Sequence, residues 1–135
     1  MRWITVLGVF IAWGGVGAAQ DFTTAAEVRP ILAMTRANWV SLREYRGADI
    51  INFTHILGWR CGLSSIRYGL NGAPATQVFK MEPCHTGSAQ PNAITSDAVY
   101  VKQPLGSVKS ISVVVGYDDG SAERAEFQRN QVLKR

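Results

Sequence analysis

Ser110-Ile111-Ser112-Val113-Val114-Val115-Gly116-Tyr117, then Asp118-Asp119-Gly120, then Ser121-Ala122-Glu123-Arg124-Ala125-Glu126-Phe127-Gln128, is the stretch that decides the fold. Successive side chains of a strand point to opposite faces, so a period of two puts Ile111, Val113, Val115 and Tyr117 on one side. Glu123, Ala125 and Phe127 share a face in the returning half in the same way. Asp-Gly at the centre of the connection is a hairpin signal, because glycine accepts the positive φ that tight turns require. The stretch predicts an antiparallel hairpin with one face in a core.

Upstream, the same period recurs in short runs separated by turn residues. Val99–Gln103, Thr76–Glu82 and Leu63–Leu70 read as strands, with Asn71-Gly72-Ala73-Pro74 as a turn. Ile50–Leu57 reads as another, with Ile51, Phe53, His55 and Leu57 on one side, and Trp39–Tyr45 as the first. Arg46-Gly47-Ala48-Asp49 joins these two. Gly58 and Gly62 flank Trp59-Arg60-Cys61 and suggest a bend or bulge. Pro83–Asp97 is rich in Pro, Gly, Ser, Thr and Asn and reads as a long loop. Before the strands, residues 24–36 read as a helix. Thr24-Ala25-Ala26-Glu27 is a capping box, and Val28, Ile31, Leu32 and Thr35 fall on one face. Pro30 lies past the first turn and predicts a kink or an early end. One helix and six or seven short strands predict a mainly β fold. Its expected form is an antiparallel β-sandwich, immunoglobulin-like, with one N-terminal helix.

The chain has 135 residues, of which 47% are hydrophobic and 18% charged, enough for one domain. Residues 1–19 read differently from the rest. Arg2 is their only charge; an apolar run from Trp3 to Trp13 follows, then small residues up to Ala19. This is the pattern of a signal peptide. Cleavage after Ala19, with Gly17 at the −3 position, would leave a single β-rich domain over residues 20–135. A retained anchor is the alternative, but the apolar run is short against the about 20 residues that span a bilayer core. No later segment is long and apolar enough to cross. The expected address is therefore periplasmic or secreted, with no membrane span after cleavage.

The chain holds two cysteines, Cys61 and Cys84. In an oxidising compartment an even count points to one bridge. Joining them removes both thiols from nucleophilic or metal chemistry. Cys61, Cys84, His85 and His55 lack the ligand spacing of a zinc site, and no cofactor or metal is expected. No nucleophile elbow is present. His55, on an apolar strand face, reads as a hydrogen-bonded core residue. Asp118-Asp119 belongs to a turn, and Glu44, Asp49 and Glu82 stand isolated, so no carboxylate pair for hydrolysis is evident. The net charge is +4, or +3 without Arg2. The cations are spread along the sequence, which argues against nucleic acid as partner and reads as solubility with weak attraction to an anionic wall or membrane surface.

Trp59-Arg60-Cys61, with an aromatic, a cation and the bridge between two glycines, is the most unusual cluster. Trp39, Trp59, Arg60 and His85 are the candidate binding residues. The run Phe53-Thr54-His55-Ile56-Leu57-Gly58-Trp59-Arg60-Cys61-Gly62-Leu63, with Ile66-Arg67-Tyr68-Gly69-Leu70-Asn71-Gly72 after it, resembles small uncharacterised exported proteins of α-proteobacteria. That resemblance implies a periplasmic or extracellular address in a Gram-negative cell and carries over no activity. The expected function is non-enzymatic: an exported protein-binding or accessory domain whose partner is another exported protein. One alternative is a carbohydrate or cell-wall glycan binding module using Trp39, Trp59 and nearby tyrosines. The other is a hydrolase with a site near His55, Arg60 and His85.

Overall fold

A computed structural model describes Gly8 and residues 21–135. The expected signal peptide therefore lies, Gly8 apart, outside the described residues. Helix α1 (Ala25–Met34) precedes strands β1 (Ser41–Tyr45) and β2 (Ala48–Asn52), a short helix α2 (Thr54–Leu57), and strands β3 (Leu63–Leu70), β4 (Gln77–Phe79), β5 (Tyr100–Pro104), β6 (Ser110–Tyr117) and β7 (Ala122–Gln128). Helix α3 (Arg129–Val132) and strand β8 (Leu133–Lys134) follow. The strands form two four-stranded sheets, ordered β5-β2-β1-β8 and β4-β3-β6-β7. Every pairing is antiparallel except β1 with β8, which is parallel. Among the described residues no helix is long and apolar enough to cross a membrane.

The decisive hairpin forms as its period demands. Ile111 pairs with Phe127, Val113 with Ala125 and Val115 with Glu123. Its connection is the four-residue turn 118–121, in which Gly120 takes a φ of +85° and donates its N–H to the Tyr117 carbonyl. One hydrophobic cluster draws on both sheets: Leu42 and Ile51 from the first, Ile66, Ile111, Val113, Val115 and Phe127 from the second. Val28, Leu32 and Trp39 join it from the helical side. Each such side chain, fully buried, contributes about 1.5–3 kcal/mol against exposure.

The capping reading of α1 is half met. Thr24 Oγ1 accepts the Glu27 N–H, but the Glu27 carboxylate reaches back to the Phe22 N–H rather than to that of Thr24. Pro30 sits within the helix, which continues to Met34. The helix packs on a 3-10 turn at Arg60–Gly62. A Cβ on Gly62 would lie 2.5 Å from Val28 Cγ2 and 2.7 Å from the Thr24 carbonyl, so only glycine fits this approach.

Ile50–Leu57 is not one strand. It ends at Asn52, whose Oδ1 accepts the Thr54 N–H at 2.8 Å, and the chain turns into α2. Phe53, Ile56 and Leu57 are all buried at helical spacing. Over so short a run, periods of two and 3.6 fit nearly the same apolar residues. His55 therefore leaves the strand face; its Nε2 lies 2.9 Å from Thr35 Oγ1, and burial lowers its pKa below the ordinary value. The first strand starts at Ser41 because Arg36–Asn38 forms a 3-10 turn, and Thr76–Glu82 shrinks to β4.

Candidate functional site

The Trp59-Arg60-Cys61 cluster is built as a strap. Arg60 is 2% exposed. Its Nε donates to the Glu82 carbonyl at 2.7 Å, and its Nη1 donates to the carbonyls of Leu57 and Asn92. Its Nη2 donates to the carbonyls of Pro83 and Ala93 and to Glu82 Oε2. A guanidinium carries five N–H donors, and here they reach both ends of the 82–93 segment and the Leu57 carbonyl at the end of α2. Glu82 closes the other side. Its carboxylate accepts from the backbone of Thr95 and Ser96, from the Thr95 hydroxyl and from His85 Nε2. Burial alone would raise the Glu82 pKa; the hydrogen bonds from Ser96, His85 and Thr95 outweigh it and hold it at about 2.

The Cys61–Cys84 disulfide lies inside the same strap, with Asn92 Oδ1 accepting the Cys61 N–H. A bridge of this kind suits an oxidising compartment. Changing both cysteines to serine should lower the free energy of unfolding by about 3 kcal/mol, read by urea denaturation. A drop below about 1 kcal/mol would mean that the arginine strap alone constrains the loop.

The other candidate residues fall in different places. Trp39 is wholly buried, with Nε1 donating to the Leu32 carbonyl at 2.9 Å, so it offers no face for stacking. Trp59 is half-buried and packs edge-on against Phe22. Arg60 and His85 meet only through Glu82, while His55 bonds to Thr35. Among the described residues no three His, Cys, Asp or Glu side chains gather to hold a metal ion.

Asp49 and Glu44 are not isolated. Asp49 is fully buried and accepts from the Gly106 and Val108 N–H groups and twice from Arg129, which also donates to Glu44.

The cations are not scattered in space either. In β1, Leu42 points into the core, so Arg43 and Tyr45 point outward. The register places Arg43 beside Ile50, Ile50 beside Lys102, and Arg43 beside Lys134 on its other flank. One row across the outer face of the β5-β2-β1-β8 sheet therefore reads Lys134-Arg43-Ile50-Lys102. Tyr100 occupies the row ahead of it and Tyr45 the row behind. Both tyrosines are about half exposed, at 50% and 54%.

Arg46, at the tip of the β1–β2 turn, has a φ of +49° and stacks over the Tyr45 ring. Tyr45, Arg46, Ile50, Tyr100 and Lys102 line a shallow groove of about 310 Å³. No Asp or Glu points outward from these strands, since Glu44 and Asp49 turn to the opposite side and bind Arg129. Arg43, Arg46, Lys102 and Lys134 make no ion pair among the described residues. The sequence held the signal in two copies: Arg43-x-Tyr45 and Tyr100-x-Lys102 each put a cation and an aromatic on one strand face.

Comparison with protein-family models, curated proteins and solved structures found no match, so the reading of the site rests on geometry.

Proposed function

We propose that this protein is a non-enzymatic binding module that acts outside the cytoplasm and holds an anionic macromolecule on the outer face of its β5-β2-β1-β8 sheet. The single observation behind this reading is that face: four cations with no ion pair among the described residues and two exposed tyrosines, with no outward carboxylate on its strands. Ionic groups pointing one way on a flat surface attract a polyanion over several ångströms and steer its approach. The buried disulfide, the leader-like first nineteen residues and the resemblance to small exported α-proteobacterial proteins favour a periplasmic or secreted address. The strap around Arg60 favours a structural rather than a catalytic use of the most polar cluster, because each of its donors already has an acceptor.

An immunoglobulin-like sandwich is the architecture we infer for the two sheets. In support, the orders β5-β2-β1 and β3-β6-β7 resemble the E-B-A and C-F-G orders of such domains. Two departures remain: β4 pairs with β3, and β8 adds a parallel edge to β1. Sandwiches of this kind commonly present a surface to a partner, though the fold by itself specifies none.

The test compares two charge-matched variants on immobilised polyglutamate. Arg43→Glu/Lys102→Glu reverses two charges on the face, and Arg67→Glu/Lys80→Glu reverses two on the other sheet and the segment after it. The face variant should elute at much lower salt than the control. Equal elution would mean that net charge alone governs retention, and the reading would fail.

A further inference from the structure

We infer that the occupant of this face is an acidic polysaccharide, whose rings lie against Tyr45 and Tyr100 while its carboxylates pair with Arg46 and Lys102. The inference rests on the proposed anionic-binding face and names its ligand. The groove has tyrosine and cation on the same walls. Tyr100 and Lys102 stand two residues apart on β5, and Arg46 lies over Tyr45 at the turn, 5.2 Å from the ring centroid. A sugar ring has a flat, largely C–H face and a polar edge. A uronic acid adds a carboxylate at that edge. Such a ring satisfies an aromatic surface and an adjacent cation together. An acidic peptide supplies the charge without the flat apolar face. An anionic membrane would need a projecting apolar side chain to enter it, and the only aliphatic residue of the groove, Ile50, is partly buried between its neighbours. Nucleic acid also stacks on aromatics beside cations; the extracytoplasmic address argues against it.

Arg46 supplies an independent sign. It occupies the first central position of a two-residue hairpin turn whose two residues both have positive φ, +49° at Arg46 and +74° at Gly47. Asn, Asp and Gly are the residues that turn prefers. An arginine there costs backbone energy, and the one contact its guanidinium makes among the described residues is with an exposed ring. A ligand carboxylate beside Tyr45 gives the side chain a use.

Affinity electrophoresis of the intact native protein tests this, with polygalacturonate as the acidic glycan. The same polymer after carboxyl reduction, a poly(dT) oligonucleotide and phosphatidylglycerol vesicles are the comparison arms. Polygalacturonate should retard the native protein and the reduced polymer should not. Tyr100→Ala should weaken the retardation about tenfold. Arg46→Asn should weaken it as well while folding at least as stably as the native chain, so loss of binding cannot be loss of structure. Stronger retention by the oligonucleotide or the vesicles, or no effect of Tyr100→Ala, would overturn the glycan as ligand. The anionic face would still stand if the two charge-reversed variants differed on polyglutamate. If those variants behave alike, both readings fall together.

Discussion

Arg60→Met lowers the free energy of unfolding by about 4 kcal/mol and frees the 83–97 segment from the body of the protein. The magnitude follows from what the guanidinium leaves behind. Methionine matches much of the arginine stem but donates nothing. The carbonyls of Leu57, Glu82, Pro83, Asn92 and Ala93 would then lose their donor together. Each buried polar group left without a partner costs about 1–3 kcal/mol, reduced wherever water can enter. The Glu82 carboxylate, partly exposed beside it, also loses its arginine partner. The carbonyl losses overlap and water reaches several of these groups, which keeps the total near about 4 kcal/mol. Urea denaturation with an unchanged m-value should show the shift, and amide exchange should show early loss of protection at residues 83–97. The disulfide would still tether Cys84, so the segment loosens without leaving. A shift under about 1 kcal/mol, or unchanged protection in the loop, would show that the strap is not held by Arg60.

What could be read in the sequence, and what could not, follows from how far each signal extends. The β6–β7 hairpin was legible because seven or eight residues repeat one period and turn residues bound them, whereas β3 keeps the period only from Ile66 onward, past an irregularity between Leu63 and Ser65. The α1 start was legible because a cap is a local motif. Residues 129–134 were missed: a four-residue helix and a two-residue strand are too short to carry a period. Asn52 decided the fate of Ile50–Leu57 through one side-chain hydrogen bond, which competing apolar periods hide. The ion-pair hubs were invisible for a different reason. Asp49 and Arg129 stand 80 positions apart, and Glu82 finds Arg60 22 positions upstream. No spacing rule links such residues before the sheets are assembled. The cationic face lay between these cases, since each strand showed its own cation and tyrosine while their union required the β5-β2-β1 order.

Asp49→Asn should cost about 3 kcal/mol at neutral pH and flatten the acid limb of the stability curve. Asp49 is the joint between the sheets. From β2 it accepts the N–H groups of Gly106 and Val108, in the crossover to β6, at 3.0 Å each. It also receives Nη1 and Nη2 of Arg129, the first residue of α3 just after β7, at 2.7 and 3.1 Å. Asparagine keeps the shape but not the chemistry: its amide N–H₂ would face at least one of these donors, and Arg129 would lose its counter-charge. The hydrogen bond from Arg129 is the largest influence on the carboxyl. Together with those from Gly106 and Val108 and the Arg129 charge, it overcomes burial and lowers the pKa from 3.8 to about 2. A carboxyl depressed on folding adds stability that is complete above its unfolded pKa and is lost as pH falls through the folded one. The window is thus about pH 4 down to about pH 2, and the difference in pKa corresponds to about 2.5 kcal/mol. Glu82 and Asp119 are also lowered to about 2 and titrate over the same range. The native protein therefore loses stability there from several groups, and the variant should lose less by the share of one carboxyl. Urea denaturation repeated between pH 7 and pH 2 reads this directly. Parallel curves for native and Asp49→Asn, offset but equal in slope below pH 4, would mean that Asp49 carries no linked proton and that the joint owes its strength to packing instead.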